Sequence, residues 1–108
     1  MVILLDSSAW VEFFIESEKG EVVKNILKTK ECYTSIVTLA EISNWVMKHD
    51  LEGKELVQFI INSSKVLNLN YETSFLAGEL NFKRKKIIKN WGMVDSLILA
   101  TSLYYDLK

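Results

Sequence analysis

Three acidic residues stand apart from the other acids of this chain by the company they keep. Asp6 follows the apolar run Val2-Ile3-Leu4-Leu5, Glu41 sits in Thr38-Leu39-Ala40-Glu41-Ile42, and Asp95 lies in Gly92-Met93-Val94-Asp95-Ser96-Leu97. Most remaining acids stand in Lys-rich segments that read as solvated. Several carboxylates sharing one site repel one another unless a divalent cation neutralises them. Oxygen ligands without His or Cys favour Mg²⁺ or Mn²⁺ over zinc. A centre of that kind activates water and orients a phosphodiester for in-line attack.

Each carboxylate also has an ordinary structural reading. A strand-ending Asp such as Asp6 is a common helix N-cap. Thr38 and Glu41 stand three apart, the spacing of a capping box. Asp95 in the first turn of a helix is favoured by the helix dipole. The shared apolar setting is what separates these three from ordinary caps, because three caps need not converge.

The elements that would position them follow from hydrophobic periodicity. Val2–Leu5 reads as a parallel strand buried on both faces, with Asp6, Ser7 and Ser8 at its carboxyl end, where open sheets bind ligands. A helix is expected over Ala9–Glu18, broken at Lys19-Gly20 and resumed over Glu21–Thr29. Cys32–Ser35 leans toward a second strand, Ile36–His49 to a helix, Asp50–Gly53 to a turn, and Lys54–Ser64 to a helix. Val66–Leu69 gives a third strand and Glu72–Lys86 a helix with a basic end. Val94, Leu97, Ile98, Thr101, Tyr104 and Tyr105 trace the stripe of a last amphipathic helix. Strands alternating with helices argue for an α/β fold with a parallel sheet between helices.

The bulk properties fit one domain over residues 1–108. About half the residues are apolar and a quarter charged, as in ordinary globular proteins. No apolar run reaches membrane-spanning length, and no secretory leader is evident. Cys32 is the one cysteine; it reads as a buried thiol in a reducing, cytoplasmic compartment. A net charge of −1 offers no global pull on nucleic acid, so such binding needs a local patch. The densest basic run is Lys83-Arg84-Lys85-Lys86 with Lys89. Its plain role is to offset a helix dipole; its functional role, strongest for Arg84 and Lys89, is a phosphate-binding rim.

The sequence resembles PIN-domain proteins of the VapC toxin type, which are metal-dependent ribonucleases. The likeness rests on LLDSSAWVEFF at Leu4–Phe14, TSIVTLAEI at Thr34–Ile42 and WGMVDSLILATS at Trp91–Ser102, in family order and spacing. It implies a three-layer PIN-like fold with Asp6, Glu41 and Asp95 as the acidic metal-site residues. It also implies supporting or substrate-facing roles for a Ser7 or Ser8 hydroxyl and for Thr101. An RNA substrate, a homodimer and a cognate antitoxin are the implied partners, with apolar surface near Trp10, Phe13 and Phe14 available to them. Family members continue past the last helix into a strand and a T-x-D/N loop. Asp106-Leu107-Lys108 does not match that pattern, and Asp106 would stand about 16 Å along the helix from Asp95. The last strand is therefore expected to be absent, with one edge of the first strand unpaired.

His49 reads as a partner for a helix C-terminus, and Trp10, Trp45 and Trp91 as core or interface aromatics. A non-catalytic PIN fold acting as a binding or dimerisation module is the main rival. Aspartyl-phosphate chemistry needs a second Asp two residues after the first, where this chain has Ser8.

Overall fold

A computed structural model describes residues 2–49 and 52–107. Its order is β1 (Val2–Leu5), α1 (Ser7–Phe14), α2 (Glu18–Thr29), β2 (Glu31–Ser35), α3 (Ile36–Lys48), α4 (Gly53–Ser63), β3 (Lys65–Leu67), α5 (Tyr71–Arg84) and α6 (Met93–Tyr104). The fold is α/β, with a parallel three-stranded sheet in the order β1-β2-β3. The chain divides into two compact units, Met1–Leu67 and Asn68–Lys108. None of the helices among the described residues is long and apolar enough to cross a membrane.

In the first unit, the register pairs Leu5 with Thr34 and Ser35 with Leu67. Two strands hand straight to helices at the carboxyl end of the sheet. Asp6 caps α1 and Ser35 caps α3, each accepting a hydrogen bond from a first-turn amide. The core under the helices is Leu5, Trp10, Val23, Cys32, Ile42, Val46 and Ile60. Trp10 Nε1 donates to Thr34 Oγ1 at 3.1 Å, and Thr34 Oγ1 shares a 2.7 Å hydrogen bond with Ser64 Oγ. This polar chain ties α1, β2 and the end of α4 together through the core, satisfying groups that would be costly to bury unpaired.

Several boundaries differ from the sequence expectation. β1 is an edge strand among the described residues, and only Leu5 of its four residues is fully buried. The first helix begins at Ser7 rather than Ala9, because Asp6 supplies the cap. The break falls at 15–17, where Glu16 takes a positive φ of 57°, not at Lys19-Gly20. Gly20 lies inside the first turn of α2, its N–H donating to Ser17 Oγ at 3.0 Å. It is glycine because a Cβ there would sit 2.2 Å from the Glu12 carbonyl oxygen. Asp50 and Leu51 of the expected turn lie outside the described residues, and Gly53 opens α4. The third strand is Lys65–Leu67, earlier and shorter than Val66–Leu69.

In the second unit, α5 packs against α6. Asn70 and Thr73 form a reciprocal capping box at the start of α5. Thr73, Ala77, Ser96, Ala100 and Thr101 are buried.

Two predictions follow from this packing. Gly20→Ala should lose about 1–3 kcal/mol in chemical denaturation, the usual cost of overpacking a close contact. Burial pushes the Cys32 thiol up from its ordinary value. The unfolded chain therefore deprotonates first as pH climbs past about 8.5, and stability falls on that side. Cys32→Ala should flatten that part of the stability–pH curve.

Candidate functional site

Asp6 and Glu41 belong to the first unit and Asp95 to the second. Asp6 stands at the carboxyl end of β1 and is exposed, so its charge stays solvated. Its Oδ1 accepts the Ala9 N–H at 2.9 Å. Glu41 is half-buried on the second turn of α3. The capping-box reading of Thr38 and Glu41 does not hold, because Ser35 is the cap of α3. Thr38 is instead fully buried, and its hydroxyl has no hydrogen-bond partner among the described residues. Asp95 is exposed in the first turn of α6, and its Oδ2 accepts the Gly92 N–H at 3.0 Å.

Asp6 thus caps α1, as its ordinary reading has it, while Asp95, in the first turn of α6, accepts from the amide of the N-cap residue Gly92. Each uses one oxygen, leaving the other without a hydrogen bond among the described residues. Glu41 has neither a hydrogen bond nor a cationic partner there; the ion pair seen is Lys83–Glu79 at 2.9 Å. Carboxylate oxygens with open lone pairs are the kind of ligand a hard divalent ion takes. Among the described residues, no three His, Cys, Asp or Glu side chains gather into a metal-holding group.

The supporting residues are placed as follows. Ser7 is half-buried and Ser8 exposed, as the first two residues of α1. Thr101 is buried and donates to the Leu97 carbonyl at 2.8 Å. Asp106 is exposed beyond α6 with a positive φ of 55°, off the helix on which its distance from Asp95 was reckoned. Lys89 is exposed. Arg84 is half-buried, its guanidinium carbon 5.3 Å from the centroid of the Trp91 ring. Trp91 in turn donates to Ser96 Oγ at 2.7 Å, which fixes the ring under the guanidinium. Lys86 stands over Phe82 at 4.0 Å. His49 caps α3, with Nδ1 2.9 Å from the Trp45 carbonyl oxygen.

The apolar surface near α1 differs from expectation. Trp10 is fully buried and offers no surface. Its place is taken by Phe59 of α4, whose ring stacks on Phe13 at 5.4 Å. Phe13 and Phe59, with Lys24, Leu27, Lys28 and Ser63, line a groove of about 380 Å³. The apolar spacing of α4 showed that Phe59 is on a helix, but its pairing with Phe13 is a long-range contact that no local pattern records.

A parallel sheet whose strand ends pass directly into capped helices makes this an open α/β fold, with an acid at the edge where such sheets bind ligands. Residues 3–108 match the PIN domain family, and the chain belongs to it. VapBC2 from Rickettsia felis, solved bound to a DNA fragment from their promoter, has a similar structure (TM-score 0.77, 18% identity, 99% of this chain and 84% of that chain). So does VapC20 of Mycobacterium tuberculosis, described as a Sarcin-Ricin loop cleaving toxin (TM-score 0.78, 13% identity, 99% and 85%). FitAcB from Neisseria gonorrhoeae is a third (TM-score 0.72, 20% identity, 99% and 84%). At these identities the likeness is one of fold. No curated protein matches the sequence.

The cap and ligand roles of Asp6 separate by substitution. Asp6→Asn keeps a capping oxygen and should leave the thermal midpoint nearly unchanged. Asp6→Ala should cost about 0.5–2 kcal/mol, read by thermal or urea unfolding.

Proposed function

We propose that this protein is a metal-dependent endoribonuclease of the VapC toxin type, hydrolysing RNA phosphodiester bonds. The observation that carries the reading is the PIN family match over residues 3–108, joined to acids that keep an open carboxylate oxygen while capping helices. Asp6, Glu41 and Asp95 are the proposed ligands of a Mg²⁺ or Mn²⁺ ion. Such an ion supplies positive charge that offsets carboxylate repulsion and polarises water toward attack on phosphorus. A Ser7 or Ser8 hydroxyl and Thr101 are proposed to orient carboxylates or substrate. Arg84, its guanidinium carbon 5.3 Å from the Trp91 ring centroid, is the proposed phosphate contact, with Lys89 five residues further on.

The proposed partners are RNA, a second copy of the chain and an antitoxin. Support for an antitoxin comes from the similar structures, which include a toxin–antitoxin complex from Klebsiella pneumoniae. The Phe13–Phe59 groove, rimmed by Lys24 and Lys28, suits an apolar peptide segment with acidic residues. A cytoplasmic setting agrees with the lone thiol of Cys32.

The rival reading is a PIN fold that binds without cutting. It draws on the lack of a three-carboxylate group among the described residues. The two are separated by incubating the purified protein with structured RNA, with and without Mg²⁺ or Mn²⁺. The nuclease reading expects cleavage that EDTA stops. It also expects Asp6→Asn or Asp95→Asn to cut it by about 100-fold or more, since even the hydrogen-bond partners of metal ligands are worth 10–100-fold. Circular dichroism should show both variants folded. Equal cleavage by wild type and Asp6→Asn would end the nuclease reading, and tight RNA or protein binding without cleavage under any divalent ion favours the rival.

A further inference from the structure

Among the described residues, the buried polar side chains are Thr34, Ser35, Thr38, Thr73, Ser96 and Thr101. All but one are paired. Thr34 stands between Trp10 and Ser64, Ser35 accepts from Val37, and Thr73 is bound to Asn70. Ser96 takes the Trp91 indole N–H, and Thr101 donates to the Leu97 carbonyl. Thr38 is the exception: it is 0% exposed, and its Oγ1 has no partner among the described residues. An unpaired buried hydroxyl costs stability that an apolar group of the same shape would not. Valine is that group, so packing alone does not call for threonine here.

The easiest internal partner is not used. A helical threonine hydroxyl can donate to the carbonyl four residues back, as Thr29 does to Asn25 and Thr101 to Leu97, both at 2.8 Å. For Thr38 that carbonyl belongs to Thr34 in β2, and the bond is not made.

The complementary need lies one turn further on. Glu41 is half-buried and has no hydrogen bond or cationic partner among the described residues. Residues three apart are neighbours on a helix surface. Long helical side chains also lean back toward the helix N-terminus, over the residues three and four before them. For Glu41 these are Thr38 and Val37. Ile42 and Val46, which follow Thr38 at helical spacing, are core residues. Thr38 therefore stands where the apolar stripe of α3 borders the Glu41 position. The register of Leu5 with Thr34 starts α3 at the level of Asp6.

We propose that Thr38 is a positioning residue for Glu41. Its hydroxyl donates to the Glu41 carboxylate when that group takes up a divalent cation, fixing one oxygen and leaving the other to the ion. In the free protein the hydroxyl is unpaired, and cation uptake relieves that cost. The proposal rests on the reading of Glu41 as a ligand and adds to it a role for a residue that never touches the ion.

Thr38→Val and Thr38→Ser test it on the full chain, by thermal unfolding and by calorimetric titration with MnCl₂ alone. Without metal, Thr38→Val should raise the thermal midpoint by about 2 °C or more, because the unpaired hydroxyl is gone. The same variant should bind Mn²⁺ about tenfold or more weakly, as when hydrogen-bond partners of metal ligands are lost. Its midpoint should accordingly gain less than wild type on adding Mn²⁺. Thr38→Ser keeps the hydroxyl and should bind Mn²⁺ within about twofold of wild type, although losing a buried methyl lowers its midpoint. A role in packing alone would not move Mn²⁺ affinity in this order. A stabilised Thr38→Val that binds Mn²⁺ as wild type does would overturn the proposal and leave Glu41 as a ligand. A Thr38→Val less stable than wild type without metal would overturn it too, since the hydroxyl would then be paired in the free protein. Failure of the ligand reading shows separately, as Mn²⁺ binding that Glu41→Gln leaves unchanged or that wild type lacks, and it takes this proposal with it.

Discussion

The parallel register of β1 and β2 governs most of what the first unit can do. Pairing Leu5 with Thr34 brings two strands to their carboxyl ends at the same level. Each then turns into a helix within one residue, through Asp6 and Ser35. A helix that starts at a strand end presents unsatisfied first-turn amides there, and a short oxygen-bearing side chain is the cheapest way to satisfy them. The need for caps thus concentrates polar oxygens along one edge of an otherwise apolar sheet. The same edge is where open α/β sheets bind their ligands.

A carboxylate has two oxygens, which is why a cap and a ligand need not compete. Asp6 gives one oxygen to the Ala9 amide, and Asp95 gives one to Gly92. The bond orients the group and holds its second oxygen in a defined direction. Serine or threonine would cap as well but would leave no negative charge to offer. Aspartate at both positions therefore keeps a charged oxygen that a hydroxyl cap would not have. Glu41 has no capping duty and no cationic partner among the described residues.

Aromatic residues divide between support and surface. Trp10 is drawn completely inside, where its indole N–H finds the Thr34 hydroxyl. Phe13 and Phe59 stay at the rim of a groove, while Tyr71, Phe75 and Phe82 face outward from α5. The toxin–antitoxin assemblies among the structural neighbours show the same fold working beside partner chains.

Local pattern was enough for element types, strand count and the α/β class, because apolar period and strand length are properties of neighbouring residues. The motifs around Asp6, Glu41 and Asp95 were likewise sufficient to indicate the PIN family. Boundaries were set by contacts the local pattern does not contain. Gly20 looked like a helix breaker but is dictated by the Glu12 carbonyl of another helix. Thr38 looked like a cap and is buried one turn inside, because Ser35 at the strand end got there first. Trp10 is buried with its indole N–H on Thr34, while Phe59 stays partly exposed. Hydrophobicity alone does not distinguish an aromatic that fills a core from one that waits at a surface; only the packing of distant segments does.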